Sequence, residues 1–182
     1  MGGLPGAVSR VMRVRPASDE YASAFQAYVG RVPDGDVMQQ LRAQGERSRV
    51  LFAGIGESKG GFRYAPGKWT VKQVVNHVID AERVFAYRAL CIARNDLRPL
   101  PGFDENDYAG NAPASSLALR HLRNEFQAVR SATICLFRNL PEEAWLRRGR
   151  ANQYEVTVRG LAFQIAGHER HHVKILRERY LV

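Results

Sequence analysis

Four long stretches of the chain carry apolar residues at steps of three and four. That spacing places the apolar side chains on one face of an α-helix, while the polar positions face away from it. The four stretches begin near Asp36, at Thr70, at Ser115 or Ser116, and at Thr157. No segment shows a convincing strand-type alternation, and residues 154–158 come nearest to it. We therefore predict an all-α domain built as a four-helix bundle.

Two of these helices begin at residues that can cap their first turn. Thr70 and Gln73 have the spacing of a capping box, in which each side chain accepts a hydrogen bond from the backbone N–H of the other residue. Thr157 precedes the last helix and can accept from a free N–H group of its first turn. The sequence therefore predicts helix starts at Thr70 and at Thr157.

The apolar face of the last helix contains two histidines. Stepping by three and four from Val158 leads to His168 and His172, at positions where a core residue would be expected. Neutral imidazole is a common ligand of Zn²⁺, and residues four apart on a helix can reach the same ion. Histidines packed in the core, with their nitrogens hydrogen-bonded to neighbours, are the alternative. We favour a metal site, because two histidines share one face.

A third histidine, His77, lies beside the apolar face of the second long helix. His77 and His172 each lie roughly 10–12 Å from an end of their own helix. They therefore lie at the same height along the bundle only if these two helices run antiparallel. That requires an up-down-down-up order with a crossover between the second and third helices. Residues 95–113 can supply the crossover, because they can stretch to about 60 Å, beyond a helix length of roughly 36 Å.

Three histidines would leave one coordination position of the ion open, which is typical of catalytic rather than structural sites. Asp80, Glu82 and Gln164 are close enough in sequence to orient the ligands. We also expect residues 101–108 to fold over the cavity and contact substrate, because long connections are often functional and this one offers aromatic faces such as Phe103. A solvated acidic loop is the alternative.

Composition narrows the class of protein. The chain has 182 residues and a formal net charge of +9 at pH 7, with arginines scattered over all the helices. We therefore expect solvated basic faces and no nucleic-acid partner. No stretch is apolar for long enough to span a membrane. The two cysteines lack disulfide or zinc-motif spacing, as is typical of a cytoplasmic protein. We expect residues 1–16 to form a flexible leader and residues 17–182 a single domain.

Two motifs carry a resemblance to a known family. They are Gly67-Lys-Trp-Thr-Val-Lys-Gln-Val-Val-Asn-His77 and His168-Glu-Arg-His-His172. With them, residues 36–180 resemble the DinB/YfiT-like family of metal-binding four-helix bundles, which often opens the second helix with a tryptophan. The resemblance implies a divalent metal ion held by His77, His168 and His172. His171 matches a family histidine that points elsewhere.

The resemblance implies a metal site more strongly than a reaction. Family members include thiol-dependent S-transferases and isomerases, proteins described as metal-dependent hydrolases, and proteins without a known activity. We expect Zn²⁺ or Ni²⁺, with Fe²⁺ or Mn²⁺ as alternatives, and a small-molecule substrate. A low-molecular-weight thiol bound as thiolate is the preferred nucleophile, and Arg83 and Arg88 could hold its carboxylates. A hydrolase that uses water, or a non-enzymatic module with a structural or vestigial metal, is the alternative. We also consider a homodimer.

The sequence His168-Glu-Arg-His-His172 also satisfies the zinc-protease motif H-E-x-x-H, in which the glutamate acts as general base. Such sites take a third ligand further along the chain. Only ten residues follow His172, and the one acidic residue among them, Glu178, lies on the same helix. We therefore do not favour a protease.

Overall fold

The structure is a computed structural model that describes residues 10–182. The first nine residues of the expected leader, residues 1–16, lie outside this described part. The described residues are mostly helical, with one short hairpin, β1 (Arg148–Ala151) and β2 (Tyr154–Thr157), and a π-helical turn at Leu176–Tyr180. The α-helices are α1 (Gln26–Val29), α2 (Val37–Gly54), α3 (Val71–Ala93), α4 (Glu105–Asn111), α5 (Leu119–Arg138) and α6 (Val158–Ile175).

The four long helices, α2, α3, α5 and α6, form the predicted bundle, and local capping chemistry explains where they begin. The Asp36 side chain accepts hydrogen bonds from the first turn of α2. Thr70 and Gln73 form the predicted capping box of α3, and Thr157 accepts from the Gly160 N–H at the start of α6. These helix starts are confirmed. The predicted start of α5 at Ser115 or Ser116 was too early, because Pro113–Ser115 forms a separate 3₁₀ turn before the helix.

Contacts between helix ends show how α3 and α6 lie against each other. The Tyr180 hydroxyl, just past α6, donates to the backbone carbonyl of Trp69 just before α3, at 2.8 Å. At the other end of α3, the Arg147 guanidinium donates to the carbonyl of Ala93 while the N–H of Val158 donates to the carbonyl of Arg147. The end of each helix therefore lies beside the start of the other. The two helices therefore run antiparallel, as the predicted meeting of His77 and His172 requires.

Two groups of buried apolar side chains fill the bundle. The larger surrounds the start of α6 and includes Trp145, Phe137 and Leu161, while the smaller surrounds its end and includes Phe126 and Leu176. The histidine positions on α6 lie between the two groups. Burial of large apolar side chains on both sides, each worth about 1.5–3 kcal/mol, holds this part of α6 in place. Among residues 10–182, no helix combines the length and apolar character needed to cross a membrane.

The hairpin corrects the expectation that no segment forms a strand. Ala151 pairs with Tyr154, and the two residues between them, Asn152 and Gln153, have φ angles of 47° and 70°. Positive φ at both central residues is the conformation of a type I′ turn, which matches the twist of the two strands. The strands have four residues each, half of them exposed, and the turn lacks glycine. The usual sequence signals of a hairpin are therefore weak at this point.

The connection between α3 and α5 is more ordered than its sequence indicates. It contains α4, whose first turn is capped by the Asp104 side chain. Its earlier part is attached to the hairpin, because the N–H of Leu100 donates to the Arg150 carbonyl at 2.9 Å and the N–H of Asn152 donates to Leu100 at 3.0 Å. The connection and the hairpin thus form one wall beside α3.

Candidate metal centre

The three predicted ligands come together in space. His77 lies on α3, His168 and His172 lie one turn apart on α6, and one ring nitrogen of each lies within 4.8 Å of those of the other two. The Nε2 atoms of His77 and His168 are 2.9 Å apart. His77 and His168 are buried, at 7% and 6% exposure, while His172 is partly exposed. The antiparallel packing of the two helices brings these positions to one level.

Aromatic side chains surround the histidines and fix the planes of their rings. Trp69 lies against His77 with 4.7 Å between ring centroids. Tyr28 of α1 and Phe85 of α3 place ring edges against His168, at 5.6 Å and 5.8 Å. Neighbours of this size leave an imidazole little freedom to rotate, so the ring nitrogens stay directed towards one another.

Burial keeps the three imidazoles neutral. It lowers the pKa of His77 to about 4, with a smaller contribution from nearby His171, and lowers the pKa of His172 to about 2, with contributions from His77 and His171. The pKa of His168 also falls well below its ordinary value, mainly through burial. Neutral imidazole is the form that coordinates a metal ion, because its ring nitrogen then carries a free lone pair.

The arrangement fits a divalent ion. Two nitrogens bound to one ion at about 2.0–2.1 Å lie roughly 3 Å apart, close to the 2.9 Å between His77 and His168. In addition, the Nε2 atom of Gln164 is buried and has no hydrogen-bond partner among the described residues. Gln164 precedes His168 by one turn and lines the same cavity, so its amide can donate to an anion or water beside the histidines.

The other two residues expected to orient the ligands lie elsewhere. The carboxylate of Asp80 accepts hydrogen bonds from Asn76 and Arg83. Glu82 is buried in an ion pair with Arg130, with both oxygens at 2.8 Å from guanidinium nitrogens. Neither carboxylate is bonded to a histidine, so Gln164 is the one of the three that the fold brings to the site.

The zinc-protease reading is excluded by the position of Glu169. Its carboxylate accepts hydrogen bonds from Ser48 at 2.6 Å, from Arg130 at 2.7 Å and from Gln44. It is buried, at 1% exposure, on a different face of α6 from His168 and His172. A carboxylate held in this way cannot take a proton from water bound beside the histidines. His171 also lies outside the group of three and packs against the Tyr28 ring at 5.0 Å.

A cavity of about 320 Å³ opens beside the histidines. Residues 101–108 contribute Phe103 and Glu105, the first residue of α4, to its wall. The sequence reading missed the contributions of α1 and the hairpin, since neither element has a strong sequence signal. Among the described residues, the lining of the cavity comprises Ala22, Ala24, Phe25, Tyr28, Trp69, His77, Phe85, Arg88, Phe103, Glu105, Ala151, Asn152, Tyr154, Val156, Leu161, Gln164, His168 and His172.

Comparison with known proteins adds a family to this geometry. The sequence profile of the DinB superfamily matches residues 40–176. A protein of Oceanobacillus iheyensis is 27% identical over 139 residues, which cover 75% of this chain and 79% of that protein. Its name assigns it provisionally to the metal-dependent hydrolases.

Solved structures share the fold at low sequence identity. YfiT from Bacillus subtilis superposes with a TM-score of 0.63 at 17% identity, over 91% of this chain and 93% of that one. It is described provisionally as a metal-dependent hydrolase with an unusual four-helix-bundle topology. The mycothiol-dependent maleylpyruvate isomerase superposes with a TM-score of 0.64 at 15% identity, over 75% of this chain. This chain covers 58% of the isomerase, which is therefore the larger protein.

Proposed function

Since the chain belongs to the DinB superfamily, we propose that His77, His168 and His172 bind one divalent metal ion and that the cavity beside them is an active site. The observation that carries this proposal is the meeting of three neutral imidazoles at one wall of a cavity. Zn²⁺ or Ni²⁺ suits three nitrogen ligands best, and Fe²⁺ and Mn²⁺ are alternatives. The provisional name of the Oceanobacillus iheyensis relative supports metal-dependent chemistry.

We further propose that the reaction is a transfer to or from a low-molecular-weight thiol. When bound by three uncharged ligands, the ion would keep its full charge and favour an anion such as thiolate at its open position. The described lining of the cavity contains no cysteine or serine that could act as nucleophile. The nucleophile therefore comes from outside the chain. The thiol dependence of the structurally similar isomerase supports a thiol in this role.

The surrounding residues have separate tasks in this proposal. The Nε2 atom of Gln164, buried and without a partner in the described part of the chain, donates a hydrogen bond to the anion beside the histidines. The rings of Trp69, Tyr28 and Phe85 hold the imidazoles in place and limit the access of water. Phe103 offers an apolar surface to the transferred group. Exclusion of water favours a thiol as acceptor, since water would otherwise compete for the same electrophile.

Hydrolysis is the second candidate, and the provisional names of the Oceanobacillus iheyensis protein and of YfiT favour it. The same site would serve, with water in place of thiol.

Two readouts separate the transferase from the hydrolase reaction. Zinc-loaded protein is mixed with 1-chloro-2,4-dinitrobenzene, with and without glutathione or 2-mercaptoethanol, and separately with p-nitrophenyl acetate. In the first reaction a sulfur–carbon bond forms, the carbon–chlorine bond breaks, chloride leaves and the thiol proton passes to solvent.

The transferase proposal predicts that zinc-loaded protein consumes the chloro compound faster than the uncatalysed thiol reaction does. The gain should disappear in the metal-free protein and in His168→Ala. Metal-dependent ester hydrolysis without any thiol effect would replace the transferase by a hydrolase. If neither reaction depends on the metal, the site has a binding rather than a catalytic role.

A further inference from the structure

Arg88 is a buried cation without an anionic partner in the part of the chain that the structure describes. It is 6% exposed, and its Nη2 donates to the backbone carbonyl of Pro101 at 2.6 Å. Its guanidinium lies 5.9 Å from the ring centres of Phe85 and Phe103. Within residues 10–182, no carboxylate oxygen lies at ion-pair distance from it. Glu105 lines the same cavity but is not paired with it.

Other arginines show that the fold supplies counter-charges elsewhere. Arg130 is equally buried, and its guanidinium contacts the carboxylates of Glu82 and Glu169 at 2.8 Å and 2.7 Å. Arg83, little more than one turn before Arg88 on α3, pairs with Glu125 at 2.8 Å although it is half exposed. An unpaired buried charge is costly, and arginine stays protonated at neutral pH. Burial also lowers the pKa of Arg88, although Tyr108 raises it in part.

The position of Arg88 relates it to the histidines. Arg88 follows His77 by three helical turns, roughly 16 Å along α3, so both lie on nearly the same helix face. Helical side chains lean towards the N-terminus, which directs the guanidinium back towards His77. Both residues line the same cavity. A molecule that reached from the guanidinium to the histidine group would span roughly 10 Å.

We propose that Arg88 binds the carboxylate of an elongated substrate or thiol cofactor whose reacting end lies at the three histidines. The site is thus selective for anions of a certain length, with Arg88 and the histidines at its two ends. The identity of the reacting end rests on the proposed function, whereas the binding of a carboxylate at Arg88 does not. Two arms of the experiment separate a carboxylate on the thiol from one on the second substrate.

The first arm uses cobalt-substituted protein, because coordination of a thiolate changes the visible absorption of Co²⁺. Dissociation constants are measured for 6-mercaptohexanoic acid and for the neutral 6-mercaptohexanol. We expect the acid to bind at least tenfold more tightly to the unmodified protein and to Arg83→Gln, the matched control on the same helix. The sequence predicted the same role for Arg83, but Arg83 pairs with Glu125 and does not line the cavity of the histidines. Arg88→Gln should bind the two thiols equally, and Arg88→Lys should regain part of the preference.

Length provides a further control in this arm. 3-Mercaptopropionic acid is too short to span the cavity, so it should bind no better than 3-mercaptopropanol. An equal preference for both acids would indicate general attraction to a basic protein and would overturn the proposal. If Arg88→Gln does not fold, Arg88→Lys decides: a preference as large as in the unmodified protein would count against a specific guanidinium–carboxylate contact.

The second arm omits the thiol. Calorimetry compares hexanoate with hexanamide on zinc-loaded protein and on the Arg88→Gln and Arg83→Gln variants. If no thiol binds cobalt but hexanoate binds and requires Arg88, then the carboxylate belongs to the second substrate and the thiol function fails alone. If neither the mercapto acid nor hexanoate binds better than its neutral counterpart, the Arg88 proposal is wrong.

Discussion

Tyr28 and Gly167 meet backbone to backbone where α1 crosses α6. The carbonyl oxygen of Tyr28 occupies the space that a side chain at position 167 would need. This close approach lets the Tyr28 ring contact both His168 and His171, at 5.6 Å and 5.0 Å between ring centroids. A glycine beside the histidine positions thus allows α1 to form one wall of the candidate site.

Gly167→Ala is expected to separate these two helices. The added methyl group overlaps with backbone rather than with a flexible side chain, so we expect a loss of about 1–3 kcal/mol in the free energy of unfolding. Gly54→Ala is the matched control, because nothing lies within 4 Å of a Cβ at that helical position. Urea unfolding measures both variants. Equal stability of the two would show that α1 does not pack tightly at Gly167.

The parts of this structure that follow from local sequence were predictable. Capping of α3 by Thr70 and of α6 by Thr157 depends on residues a few positions apart, and so does the apolar face that contains His168. The walls of the cavity were harder to predict. The hairpin turn at Asn152 and Gln153 has no glycine signal, and α1 has four residues, too few for a periodic pattern. These elements are fixed by packing against the bundle.

Arg130, Glu82 and Glu169 form a buried ion group. Its disruption should lower the free energy of unfolding more than the loss of a half-exposed ion pair does. Arg130→Met removes a cation that contacts both carboxylates, at 2.8 Å and 2.7 Å. Removing one partner from a buried ion pair costs about 3–5 kcal/mol, so we expect a loss of that size in unfolding free energy. Arg83→Gln breaks a half-exposed pair and should cost less than about 1 kcal/mol. Comparable losses in urea unfolding would contradict this assignment.

Glu20 should make stability depend on pH in the acid range. Burial alone would raise the pKa of its carboxyl, but hydrogen bonds from Arg159, the Ala17 N–H and Thr157 outweigh burial and hold the pKa below 4.5. Because the folded-state pKa is lower than that of the unfolded chain, the carboxylate stabilises the fold above about pH 4.5. This contribution is lost as the pH falls through the lowered value.

Thermal unfolding of the unmodified protein and Glu20→Gln between pH 3 and pH 7 tests this dependence. We expect the variant to be less stable at pH 7 and the difference to shrink towards pH 3. Glu143→Gln serves as control, because its carboxylate lies at the surface, 3.9 Å from Arg147. A difference between Glu20→Gln and the unmodified protein that is constant with pH would assign the effect to packing instead of charge.

Phe103→Ala tests the prediction that residues 101–108 supply contacts to substrate. Phe103 lines the cavity but its phenyl ring has no atom that could bind the metal ion. The metal content of the variant should therefore stay unchanged. Loss of its apolar face should raise KM for thiol or electrophile by about tenfold, since a buried aromatic contact contributes about 1.5 kcal/mol or more. Leu97→Ala, an 82% exposed position in the same connection, should change neither quantity. Unchanged turnover and KM in Phe103→Ala would favour a solvated loop.

If His77, His168 and His172 are the ligands, alanine at His172 and alanine at its neighbour His171 should have different effects on metal affinity. Alanine at His77, His168 or His172 removes one of three converging nitrogens, and loss of one ligand should lower metal affinity by at least tenfold. His171→Ala is the matched control. It changes the same residue type beside His172, yet the His171 ring packs against Tyr28 outside the group of three. Its metal content should therefore equal that of the unmodified protein.

Metal analysis of each purified variant after dialysis, with equilibrium titration of Zn²⁺ and Ni²⁺, measures this difference. Circular dichroism checks that the helices remain. Because burial keeps the three rings neutral at pH 7, the fold should remain intact when the metal is removed. Its thermal stability should fall, because an ion that binds only the folded state stabilises that state. Loss of metal in His171→Ala but not in His172→Ala would make His171 a ligand in place of His172, and the proposed ligand set would be wrong.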